Sequence, residues 1–166
     1  MKILVAIDLS DATETIVNKT EAIAKAASAQ IYLVHVAQSK LNPLELQFDI
    51  EPQEERDLLA KRYRDEHCQI QEISARLRHE GLEATALLVR EDKTADETAT
   101  LILEKAEKLD VDMIVVGSHG KGMMAQIMMG SVSQSLLKRS DRPVMIIPTT
   151  NSHRSYQAHI KFQPSV

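Results

Sequence analysis

Five short apolar runs, spaced so that a helix fits between each and the next, leave this chain few folds to choose from. They are KILVAI at 2–7, IYLVHV at 31–36, LEATALLV at 82–89, VDMIVVG at 111–117 and, after Pro143, VMII at 144–147. Near-continuous apolarity rich in branched side chains marks strands covered on both faces, the habit of parallel sheets. Parallel neighbours need a crossover connection, and a helix is the usual one.

The intervening segments supply those helices. Ile16, Thr20, Ile23 and Ala27 repeat at helical spacing, with Ser10 or Asp11 placed to cap the helix and an end near Ser28. Residues 38–53 hold two prolines and mixed polarity, which predicts a long connection. From Glu54 to about Glu80, Leu58, Ile70, Ile73 and Leu77 form an apolar stripe, and Gly81 ends the helix. Thr94 and Glu97 have the spacing of a capping box for a helix reaching about Leu109, and SVSQSLLKRS after Gly130 reads as a short amphipathic helix. The sum is α/β: a doubly wound five-stranded parallel sheet, Rossmann-like, in one domain over residues 1–148, with 149–166 as a C-terminal tail of no clear period. Such sheets bind ligands at strand carboxyl ends where the strand order reverses, which directs attention to Asp8, Val36 and Gly117.

The richest segment is GSHGKGMMAQIMMGSVSQSLL at 117–137, whose Gly117, Gly120, Gly130 and Ser131 are spaced Gly-x2-Gly-x9-Gly-Ser. Glycines let main-chain amides approach an anion, and the first turn of a helix adds unpaired N–H groups and a partial positive charge. Ser131 and Ser133 would add hydroxyls and Lys121 a point charge. From the residues alone, two readings stand: a phosphate cradle, or a glycine-rich turn whose Ser131 caps the helix.

These motifs resemble the universal stress protein family, in its ATP-binding branch. The likeness covers residues 2–148: the first strand ending at Asp8 with Ser10 beyond it, VHV at 34–36, DMIVVGSHG at 112–120, Gly130-Ser131-Val132, and PVMIIP at 143–148. The resemblance implies the adenine nucleotide alpha hydrolase-like version of the fold. It assigns the adenine and ribose end to Asp8 and Val36, the base-contacting strand end to Val116, and the phosphates to Gly117, Gly120, Gly130, Ser131 and Val132; Ala6, Ile7, Ser10 and Ser133 complete the expected site, with His119 within reach of ribose or phosphate. Two departures stand out. Ala6-Ile7 replaces a proline often found before the aspartate, and Arg90-Glu91-Asp92-Lys93 replaces a Gly-x-Pro segment. The second brings acidic groups near the ligand, to weaken a triphosphate or to help hold a divalent metal.

Other chemistries fit poorly. A Walker loop needs Gly-x4-Gly-Lys-Ser/Thr, and a dinucleotide fold needs Gly-x-Gly-x2-Gly after an early strand; neither is present. The acids and lysine of a phosphorylatable receiver are missing after the first, third and fifth strands. His35, His67, His79, His119, His153 and His159 lack zinc spacing, and the lone Cys68 forms no internal disulfide. The methionines at 123, 124, 128 and 129 read as loop packing over the ligand. A net charge of −4 provides no footprint for nucleic acid. The apolar run before Asp8 is only five residues long, too short for a signal peptide core or a membrane span, so a cytoplasmic protein is expected.

The expected function is an ATP-binding regulatory protein of the stress response, with Mg2+ as an accompanying ion. No positioned base for a water is legible, so turnover or autophosphorylation would be slow at most. Two alternatives remain: an AMP or ADP sensor, and a nucleotide-independent dimeric scaffold for a protein partner. Under each, Val144 to Ile147 offers an edge for homodimer pairing.

Overall fold

Branched apolar residues at both parities of every central strand force helices onto both faces of the sheet. The computed structural model describes residues 1–38, 51–91, 94–119 and 129–149. In chain order the elements are β1 (Lys2–Ile7), α1 (Thr13–Ala27), β2 (Gln30–Gln38), α2 (Pro52–His79), β3 (Ala84–Glu91), α3 (Ala95–Leu109), β4 (Met113–Gly117), α4 (Ser131–Arg139) and β5 (Val144–Ile147). All pairings are parallel and the sheet order is β3-β2-β1-β4-β5, the doubly wound arrangement expected.

Two cores follow from the strand parity. Ile3, Val5 and Ile7 of β1 join Ile16, Val17 and Ala24 of α1 and Ile70 and Leu77 of α2 on one face. Leu4 and Ala6 join Ala99, Ile102 and Ala106 of α3 and Leu136 of α4 on the other. The order therefore reverses between β1 and β4, whose following helices leave to opposite faces.

Helix ends account for most differences from the expected bounds. α1 is preceded by Ala12, which has no side-chain oxygen to cap it, while Ser10 stands two residues earlier with its hydroxyl donating to the Asp8 carboxylate at 2.6 Å. The capping box at Thr94 and Glu97 is formed in both directions. α2 starts two residues early, with Pro52 in its first turn, where a missing N–H costs nothing. Leu58 does not join its stripe: it is 47% exposed, whereas Ile70 and Leu77 are buried. Gly81, at φ +85, ends α2 by a Schellman turn in which the Leu82 amide donates to Leu77 O and the Gly81 amide to Arg78 O. Among the described residues no helix is long and apolar enough to cross a membrane. The 39–50 connection, residues 92–93, Gly120, Lys121, the methionines at 123, 124 and 128, and the tail from residue 150 lie outside the described residues.

Candidate functional site

The crevice between the carboxyl ends of β1 and β4 is where the topology leaves main chain uncovered by a crossover, and the expected residues gather around it. On the β1 side, the chain turns sharply after Ile7. Leu9 takes a left-handed φ of +56, a conformation with a cost for a residue with a Cβ. The turn is held by Asp8, whose Oδ1 accepts from the Ser10 amide at 3.1 Å and from the Ser10 hydroxyl at 2.6 Å. Ser10 O then accepts the Thr13 amide and starts α1. Asp8 is thus a half-buried, oriented carboxylate at a strand end, and Ala6 and Ile7 are buried behind it.

On the β4 side, Val116 is buried and Gly117 closes the strand. A Cβ at Gly117 would lie 2.7 Å from Ile16 Cδ1, 2.9 Å from Thr149 Cγ2 and 3.3 Å from His119 O, so only glycine fits. The segment re-enters at Gly130, whose amide donates to Ser118 O at 2.7 Å, closing the loop at its base. Gly130 is the N-cap of α4 and makes no side-chain cap, and the first bond of the helical ladder runs from the Gln134 amide to Gly130 O. The amides of Ser131, Val132 and Ser133 therefore precede the ladder, and no acidic residue sits in that first turn. Ser131 is exposed, so the capped-turn alternative for its side chain is not what forms. Ser133 is buried and donates to Gly117 O at 2.7 Å, joining the helix to the strand end.

Val36 extends β2 past the last β1 partner, since the β1–β2 register ends at Ile7 opposite His35. Its side chain packs into the second core and one main-chain edge pairs with Val89 of β3, while its other edge lies past the end of the β1 pairing. His35 points to the other face. Its Nδ1 lies 2.9 Å from Ile7 O, an acceptor only, so Nδ1 carries the proton. Its Nε2 lies 3.4 Å from Glu66 Oε2, and both groups are largely buried. Sequence reasoning saw His35 only as a histidine without metal spacing; Glu66 lies 31 positions away, and no local pattern links the two. Arg90, at the first of the departing positions, lays its guanidinium 4.6 Å from the Tyr63 ring centre on α2.

Two further residues were absent from the expected set. Ser118 is buried and Thr149 lies just past β5, yet the Thr149 amide donates to Ser118 Oγ at 3.0 Å and the His119 amide donates to Thr149 Oγ1 at 3.2 Å. The Ser118 hydroxyl also meets His119 Nδ1 at 2.9 Å.

Known proteins share this fold. The universal stress protein family model matches residues 1–148. Universal stress protein YxiE of Bacillus subtilis is 30% identical over 158 residues, covering 88% of this chain and 97% of that protein. Universal stress protein MJ0577 of Methanocaldococcus jannaschii is 41% identical over a stretch of 51 residues, 31% of this chain and 32% of that protein. The solved structure of MJ0577 superposes with a TM-score of 0.71 at 26% identity, covering 91% of this chain and 97% of that one. A universal stress protein from Archaeoglobus fulgidus, solved in complex with dAMP, shares the fold at a TM-score of 0.56 and 22% identity, over 89% of this chain and 97% of that one.

Proposed function

This chain belongs to the universal stress protein family, and from that premise we propose that it binds an adenine nucleotide, ATP first, across the carboxyl ends of β1 and β4. The observation that carries the reading is the pairing of an oriented Asp8 carboxylate on one side with an unladdered helix start at Ser131 on the other. Asp8 accepts from ribose or adenine and Val36 offers main chain to the base. The amides of the α4 first turn, with Gly117 and Gly120 along the loop, take the phosphates. That a relative of the same fold was solved with dAMP supports an adenine nucleotide as the ligand class.

Nucleotide occupancy serves regulation rather than turnover: the site is built for binding, with Mg2+ as an accompanying ion. β5 is an edge strand with Val144, Met145 and Ile146 only half-buried, which favours pairing with a second copy of the chain. Calorimetry on the wild type and Gly130→Val tests the site. A Cβ branch at the N-cap is expected to lower ATP affinity at least tenfold, and equal affinity in both proteins rejects the loop assignment. Competition among ATP, ADP and AMP, with the mass of any co-purified nucleotide, separates an ATP protein from an AMP or ADP sensor. A melting temperature indifferent to all three favours the nucleotide-independent scaffold.

A further inference from the structure

Thr149 belongs to no strand, yet its side chain sits where the nucleotide loop leaves the sheet. The bonds around it are reciprocal. The Thr149 amide is a donor only and gives its proton to Ser118 Oγ at 3.0 Å; the His119 amide is a donor only and gives its proton to Thr149 Oγ1 at 3.2 Å. Ser118 is bonded on its main chain as well, its amide donating to Ile147 O and its carbonyl accepting from Gly130, both at 2.7 Å. One buried serine therefore touches the end of β5, the second residue past β5, and the far base of the loop. The methyl of Thr149 closes the same junction from the other side, at the spot where a side chain on Gly117 would stand.

We propose that Thr149 is a positioning residue of the nucleotide site: acting through Ser118, it fixes the base of the loop and so aims the α4 first turn at the phosphates. The proposal rests on the nucleotide reading above, and it adds a residue outside the glycine motif to that site. The chain of contact is short. The Thr149 hydroxyl meets the Ser118 hydroxyl, Oγ1 to Oγ 3.2 Å, Ser118 O accepts the Gly130 amide, and Gly130 is the N-cap whose following amides precede the helical ladder. Without the hydroxyl, the His119 amide loses its acceptor and one tie holding the strand exit is gone. The effect should fall on the phosphate end, because the Asp8 turn at the other end makes its bonds with Ser10.

The test uses the full chain with Thr149→Val, which keeps the shape and removes the hydroxyl, and Thr149→Ser, which keeps the hydroxyl. Two readouts are taken: calorimetric affinity for ATP and for adenosine, and hydrogen exchange at the Gly130 amide, which Thr149 does not touch. Thr149→Val is expected to weaken ATP about tenfold, the scale of one lost hydrogen bond with its partner left unmade. Adenosine affinity should stay within about twofold, Gly130 exchange should rise about tenfold, and Thr149→Ser should resemble wild type in each respect. Equal losses for ATP and adenosine, no loss of ATP, or unchanged exchange at Gly130 would each overturn the proposal. If the wild type binds neither ligand, the nucleotide reading is what fails, and the Gly130 exchange of the two variants alone upholds or rejects the clasp.

Discussion

Gly117→Ala puts a single methyl where three groups already converge, and the structure fixes the size of the effect. The new Cβ would stand 2.7 Å from Ile16 Cδ1 and 2.9 Å from Thr149 Cγ2, against about 3.5–4.0 Å for relaxed carbon contacts. Ile16 is 2% exposed and packed in the first core, so its terminal methyl has little room to retreat. The other contact, His119 O at 3.3 Å, is main chain and also resists. Overpacking of this kind costs about 1–3 kcal/mol. For a chain of this length, each kcal/mol is worth roughly 2–4 °C in Tm, so a fall of about 4–8 °C is expected. Circular dichroism melts of Gly117→Ala, Thr149→Ser and the double variant measure it. Thr149→Ser removes Cγ2 but keeps Oγ1, so it should recover about 1 kcal/mol in the double variant, a non-additivity ordinary for touching residues. A Gly117→Ala protein that melts with the wild type, or a double variant whose losses simply add, refutes the steric argument.

Two other perturbations follow from single features. Thr94→Ala removes the side-chain half of the α3 capping box, leaving the residue-94 amide on the Glu97 carboxylate, and should cost about 1 kcal/mol, a drop of roughly 2–4 °C, while Thr94→Ser should keep most of it; identical melts of Ala and wild type would deny the cap its role. Glu66→Ala leaves the buried His35 without the carboxylate 3.4 Å from its Nε2 and should destabilise by about 1–3 kcal/mol in urea titration, less than a fully buried pair because Glu66 keeps some access to water. An unchanged urea midpoint would mean that the pair contributes nothing.

The strands were legible as apolar runs, and the doubly wound parallel class followed from the helical crossovers between them. Their first residues were less so, for one physical reason repeated twice. Leu82 and Val111 read as strand, yet each amide reaches back to the preceding helix, Leu82 to Leu77 O and Val111 to Ala106 O, so β3 and β4 begin at Ala84 and Met113. Apolar side chains serve a helix exit as well as a strand, and only the main-chain bond tells them apart. The cap of α1 was misread for a different reason. Ser10 has the right chemistry, but the N-cap position falls at Ala12, two residues on, so the Ser10 hydroxyl donates to the Asp8 carboxylate and accepts only the Ala12 amide at 3.4 Å, ahead of the helix. Leu58 matched the stripe by spacing alone, in a part of α2 where its side chain meets water.

The same competition bears on the candidate site. Ser133 looked like a phosphate donor because it stands at a helix start, but its proton is directed to Gly117 O and the residue is buried. The hydroxyls of Ser118 and Thr149, by contrast, are bound up with the strand exit, and neither carries a sequence signature, because their partners lie 31 positions apart. What remains for an anion, among the described residues, is main chain: the amides at the start of α4, with the exposed Ser131 beside them. A site made of amides depends on where the backbone is held rather than on which side chains the loop displays. That is why the glycine spacing could be read from the sequence while the residues that hold it could not, and why, on the proposed nucleotide reading, departures such as Arg90 should bear less on affinity than a change at Gly117 or Thr149.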